Sequence, residues 1–142
     1  EEAFQAGMKN LPAECKALQR AGVTRTGTWL MFGHEFMTYR QYGRLMADRL
    51  RAIGEVCGEH DLRFGLEYVG THSAWSSVRY PWVHTMAETK ELIADIGLSN
   101  VGIILDSWHW YHAKEGFEDI MTLKNQDVVA VDLNDAPAGV EK

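Results

Sequence analysis

A chain of 142 residues with 46% hydrophobic and 24% charged positions is long enough for one sizeable core and too apolar for a disordered segment. Its formal net charge of -6 and pI near 5.5 repel a phosphate backbone, so nucleic acid is not an expected partner. No apolar run approaches the roughly 20 residues of a membrane span, so no membrane contact is expected either.

Asn10 reads as the cap of a first helix, with Pro12 in its first turn, then Ala13, Cys15, Ala17, Leu18 and Ala21, and Gly22 as its stop. Residues 1–9 read as the helix or loop ahead of it. VTRTGTWLMF (23–32) is β-branched and aromatic between Gly22 and Gly33, the composition of a strand. Tyr42, Leu45, Met46, Leu50, Ile53, Val56 and Cys57 then recur at three- and four-residue steps, which predicts the strongest helix of the chain, ending near Gly58 to Asp61. Arg40, Arg44, Arg49 and Arg51 are interleaved with Asp48 and Glu55 there, so they read as a solvated face.

RFGLEYV (63–69) is the second predicted strand, followed by a polar loop over 70–81, long enough to favour a functional role. Thr85 with Glu88 makes the capping-box pattern for a helix through Ile93 and Ile96 to Gly97. NVGIILD (100–106) is near-continuously apolar, as a strand buried on both faces is. A helix over 116–123 and a fourth strand, DVVAVDLND (127–135), complete the pattern.

Strand ends at Phe32, Glu67, Asp106 and Leu133 repeat at about thirty-odd residues, the length of a βαβ unit, and strand–helix alternation predicts a parallel sheet. A (β/α)8 barrel needs eight strands over about 250 residues. The expected fold is therefore a partial barrel of four parallel strands, the third to the sixth, with flanking helices. The chain begins at Glu1 rather than Met, and residues 1–142 are expected to be the central part of a single domain cut at both ends. A self-contained four-stranded domain is the alternative, and it would have to cover its open sheet edges. Cys15 and Cys57 read as free thiols of a reducing compartment, which points to the cytoplasm.

Glu67, Asp106 and Asp132 end three successive predicted strands, where side chains from strands about 4.8 Å apart converge on one rim. Carboxylates there are costly to bury unless something positive meets them. Oxygen donors with at most one imidazole suit Mn, Mg or Co better than a structural zinc. Asp106 and His109 form a D-x-x-H pair just past a strand. His72 and Trp75 in the long loop, His34 after the first strand, and Trp108 beside His109 are further candidates for a substrate wall, while Trp29 and the 108–111 aromatics could stack on a sugar ring. His112 reads as surface or supporting, and His84 as a helix cap. No G-x-G-x-x-G or Walker pattern is present, so nothing supports nucleotide binding.

FGLEYVG, VGIILDSWHWYH and VVAVDLNDAP together resemble, in order and spacing, the sugar phosphate isomerase/epimerase family of xylose isomerase-like TIM barrels, over about residues 12–137. The resemblance implies a divalent metal held by a glutamate after the fourth strand, an aspartate after the fifth, a histidine after the sixth and a glutamate after the eighth. Glu67, Asp106 and Asp132 match the first three positions, and His109 matches a histidine that contacts substrate. Asp132 departs from the histidine of tagatose-3-epimerase-like members, and no position of this chain matches the eighth-strand glutamate. The implied function is a metal-dependent sugar or polyol isomerase or epimerase acting through an enediolate, with Glu67 as ligand and proton-transferring carboxylate and His109 holding a substrate oxygen. As an incomplete enzyme, the chain is expected to be inactive alone. The alternatives are an inosose- or dehydroshikimate-type dehydratase on the same fold, an endonuclease-IV-like phosphodiesterase (disfavoured by the charge and the scarcity of histidine ligands), and a metal-free binding domain. Oligomeric state is left open.

Overall fold

The computed structural model describes residues 1–135. Helix α1 (Glu2–Arg20) leads into β1 (Arg25–Trp29), the two-residue β2 (Gly33–His34) and the long α2 (Tyr39–Glu59). Next come β3 (Arg63–Glu67), the short α3 (His72–Trp75), β4 (Tyr80–Pro81) and α4 (Met86–Ile96). Last are β5 (Val101–Asp106), α5 (Ser107–His112), α6 (Phe117–Met121) and β6 (Val128–Asp132). The main sheet has the order β1-β3-β5-β6 with every pair parallel, so the four strands and their helices form a half-barrel.

Register fixes which side chains share a face. Trp29 pairs with Glu67, Gly27 with Gly65, and Asp106 with Asp132, so by the period of two these residues line one face, together with Ile104. The opposite face carries Phe64, Leu66, Val101 and Ile103, all buried, beneath the layer of α2 and α4. That face and the helix positions Tyr42, Ala47, Leu50, Cys57, Met86, Leu92 and Ile96 make the core. On the other face Gly27 and Gly65 leave the room that the Ile104 side chain fills; a Cβ at either glycine would collide with it. β5 is thus apolar throughout for two different reasons, helix contact on one side and a single interior layer on the other. Among the described residues, no helix is long and apolar enough to cross a membrane.

Four local expectations need correction. The first helix starts at Glu2 and not at Asn10, with Pro12 in its interior. Phe4, Met8, Leu11, Cys15 and Leu18 form one unbroken stripe at three- and four-residue steps, and Pro12 lies on the exposed side of the helix. The first strand stops at Trp29, although the Leu30 N–H still donates to the Glu67 carbonyl at 2.7 Å. The 70–81 segment is not a plain loop: it holds α3, and β4 pairs antiparallel with β2, Gly33 with Pro81 and His34 with Tyr80. His109 lies in a helix, α5, that begins directly at the end of β5. The capping box of α4 forms as read, Glu88 N–H donating to Thr85 Oγ1 at 3.3 Å and Thr85 N–H to the Glu88 carboxylate at 3.2 Å, with Gly97 closing the helix.

Candidate metal and substrate site

Glu67 and Asp106 end adjacent parallel strands on the C-terminal rim, and α5 returns His109 to the same place. One donor atom from each of the three lies within 4.8 Å of the others, and none of the three residues is exposed. His109 Nε2 is 3.8 Å from Glu67 Oε1. Asp106 caps α5: its Oδ1 accepts from the Trp108 N–H at 2.7 Å and from Asn134 Nδ2 at 2.7 Å. Asn134 is itself fixed by Ser107, whose Oγ accepts from the Asn134 N–H at 2.7 Å and donates to its carbonyl at 3.1 Å. One oxygen of Asp106 is therefore occupied by the protein, which orients the carboxylate and leaves the other for the site.

Burial pushes the Glu67 carboxyl up to about 7, aided by its hydrogen bond to Asp106 and by the negative charges of Asp106 and Asp132. Burial also holds the His109 imidazolium form down, partly opposed by Asp106, so the ring is neutral and keeps a lone pair. Two carboxylates that crowd one another beside a neutral imidazole are a donor set with surplus negative charge, and a divalent cation fits it.

The other sequence candidates fall around this centre. Asp132 stands in register beside Asp106, but it is exposed and is not one of the three clustered donors. Trp29, the register partner of Glu67, is 54% exposed on the same rim. His34 sits in β2 with Nδ1 accepting from the N–H groups of Phe36 and Met37, both at 3.0 Å, so its proton is on Nε2; its ring lies 5.1 Å from that of Tyr42. His72 opens α3, exposed, with its ring edge-on to Trp75 at 4.5 Å, and Trp75 in turn lies 4.7 Å from the His84 ring. Trp108 is half-exposed with its ring 4.3 Å from that of His112. Asn134 as the anchor of Asp106 has no signal in periodicity or motif, because the contact joins positions 28 residues apart.

The description "Xylose isomerase-like TIM barrel" matches residues 1–142, and the chain belongs to that family. It is similar to a xylose isomerase domain protein from Alicyclobacillus acidocaldarius subsp. acidocaldarius, with 32% identity over 99% of this chain and 51% of that one, at a TM-score of 0.84. The IOLI protein, solved with a bound zinc atom, is 16% identical over 100% of this chain and 50% of that one, at 0.76. D-allulose 3-epimerase from Methylomonas sp., solved with D-allulose, is 15% identical over 94% and 46%, at 0.70. The last two likenesses show the fold. The chain spans about half the length of these solved proteins. No curated protein matches it.

Proposed function

We propose that residues 1–142 contribute half of the barrel of a metal-dependent sugar or polyol isomerase or epimerase. The observation that carries this reading is the convergence of Glu67, Asp106 and His109 on one rim of the parallel half-barrel. These three residues, with Asp132 adding negative charge, would hold the cation, and two carboxylates beside a single imidazole favour Mn, Mg or Co over a thiolate-rich or all-imidazole zinc site. When bound, the ion supplies Lewis-acid stabilisation of the negative charge that develops on the substrate oxygens.

Glu67 takes the proton from the carbon next to the substrate carbonyl, and the electron pair left behind delocalises onto the carbonyl oxygen as an enediolate. Burial and the neighbouring carboxylates raise the proton affinity of the Glu67 carboxylate above that of an ordinary one, which suits it to accepting that proton. With one ring nitrogen offered to the cation and Nδ1 buried, His109 acts as a ligand rather than as the holder of a substrate oxygen that the family resemblance implies. Trp29 offers an exposed indole on the same rim as a stacking surface for a sugar ring, and His34, Trp108 and His72 extend the wall. The carboxylate that returns the proton to the other face belongs, in this reading, to the second half-barrel.

The test is exchange in deuterium oxide with the protein of the complete reading frame. Incubation with a panel of ketoses is expected to place deuterium on the carbon next to the carbonyl, with epimerised sugar and no absorbing enone, and Glu67→Gln is expected to abolish the exchange. Enone formation would transfer the assignment to a dehydratase. Exchange that survives Glu67→Gln would remove Glu67 from the reaction.

A further inference from the structure

His109 is the one member of the cluster that no hydrogen bond orients. Its Nδ1 is buried with no hydrogen-bond partner among the described residues, whereas metal-binding histidines ordinarily donate their second N–H to a fixed acceptor. The ring direction therefore depends on where α5 lies. Three contacts set that position. Tyr68 follows Glu67 directly, so its side chain points to the opposite face of β3, into the helix layer, where it is 1% exposed. Its hydroxyl donates to Glu115 Oε2 at 2.6 Å, just past the end of α5. Glu115 Oε1 accepts from the N–H of Met86, the first residue of α4, at 2.6 Å. Between these, Gly70 lies flush against α5: a Cβ there would collide with the His109 carbonyl and lie 3.0 Å from the Ala113 Cβ.

We infer that Tyr68 and Glu115 form a positioning pair that clamps α5 to the end of β3 and to the start of α4, and so sets the approach of His109 to Glu67. Neither touches substrate. Both act through the helix that carries His109. The inference rests on the proposed metal site only for its consequence, since the geometry itself exists without the ion.

The test uses the full-length protein and the variants Tyr68→Phe, Glu115→Ala, Glu115→Gln and the double variant Tyr68→Phe/Glu115→Ala. In metal-free protein, the ring nitrogen chemical shifts of His109 are expected to move in Tyr68→Phe and Glu115→Ala and to stay near wild type in Glu115→Gln, whose amide still accepts from Met86 and meets the tyrosine hydroxyl. Calorimetry with Mn alone is expected to show binding weakened about 10-fold in the first two, with the double variant no weaker than Glu115→Ala. His109 signals that stay in place while melting temperature falls would reduce the pair to a structural contact and overturn the inference. Additive losses of Mn affinity would overturn it too, because one clamp cannot be broken twice. If wild-type protein binds no Mn but the ring signals move, the clamp stands and the metal reading falls.

Discussion

Glu67 carries most of the pH dependence this site can have. Its folded pKa of about 7 lies above the ordinary carboxylate range, so the folded metal-free protein holds a proton that the unfolded chain releases. The stabilisation from this group is accordingly complete below the ordinary carboxylate pKa and is lost as pH rises toward and through about 7. A cation has to displace that proton, so metal affinity is expected to rise with pH up to about 7 and then level off, with proton release measurable by calorimetry in buffers of different ionisation enthalpy. Affinity flat over that range would show that Glu67 is not a ligand. Asp132 acts on the same group from outside the three-donor cluster. Asp132→Ala is expected to lower the Glu67 pKa, by removing one of the negative charges that raise it, and to weaken Mn binding by less than Asp106→Ala does, with the fold intact by circular dichroism. Equal losses in the two variants would make Asp132 a full ligand. The sequence makes Glu67 and Asp106 legible as a pair because strand ends are local patterns. It does not show that His109 joins them more closely than Asp132, since that depends on α5 starting without a connecting loop.

Elements whose signals lie within one segment were readable, and those that depend on a partner were not. α2 and α4 carry complete apolar stripes, and the box of Thr85 and Glu88 sits in four consecutive residues. α5 has the sequence SWHWYH, with aromatic rings on all sides and no stripe, and it is nucleated by the Asp106 side chain. The β2–β4 pairing joins His34 to Tyr80, a contact no local pattern announces. Two substitutions separate these kinds of determinant. Thr85→Ala removes the cap of α4 and is expected to cost about 1 kcal/mol by denaturant unfolding, through the stability of one helix. Gly70→Ala forces α5 away from the β3 end and is expected to cost about 1–3 kcal/mol and to disturb metal binding as well, because the obstacle is the His109 backbone. A Gly70→Ala protein with wild-type stability would show that α5 is free to shift.

At the scale of the molecule, the half-barrel is self-consistent on one side and open on the other. Leu66 and Ile103 are fully buried beneath the helix layer, while on the far side Trp29 and Asp132 remain exposed and the β1 and β6 edges carry backbone groups with no neighbouring strand among the described residues. Val131 and Leu133 at the end of β6, 52% and 86% exposed, are apolar surface of the kind that a further element of an α/β barrel covers. The strand repeat in the sequence carried the parallel order β1-β3-β5-β6, because each βα unit closes on its own neighbour; no local pattern in these four units specifies closure of a ring. Stability and catalysis should therefore both follow completion of the sheet. The 142-residue chain purified alone is expected to associate or bind a hydrophobic dye through its open face, and to show no turnover on ketoses. The protein of the complete reading frame is expected to be dye-silent and active, and co-expression of the two halves as separate chains should restore both properties. Turnover by the isolated 142-residue chain would show that the proton is returned by a group already present on this rim, with Asp132 the residue to substitute next.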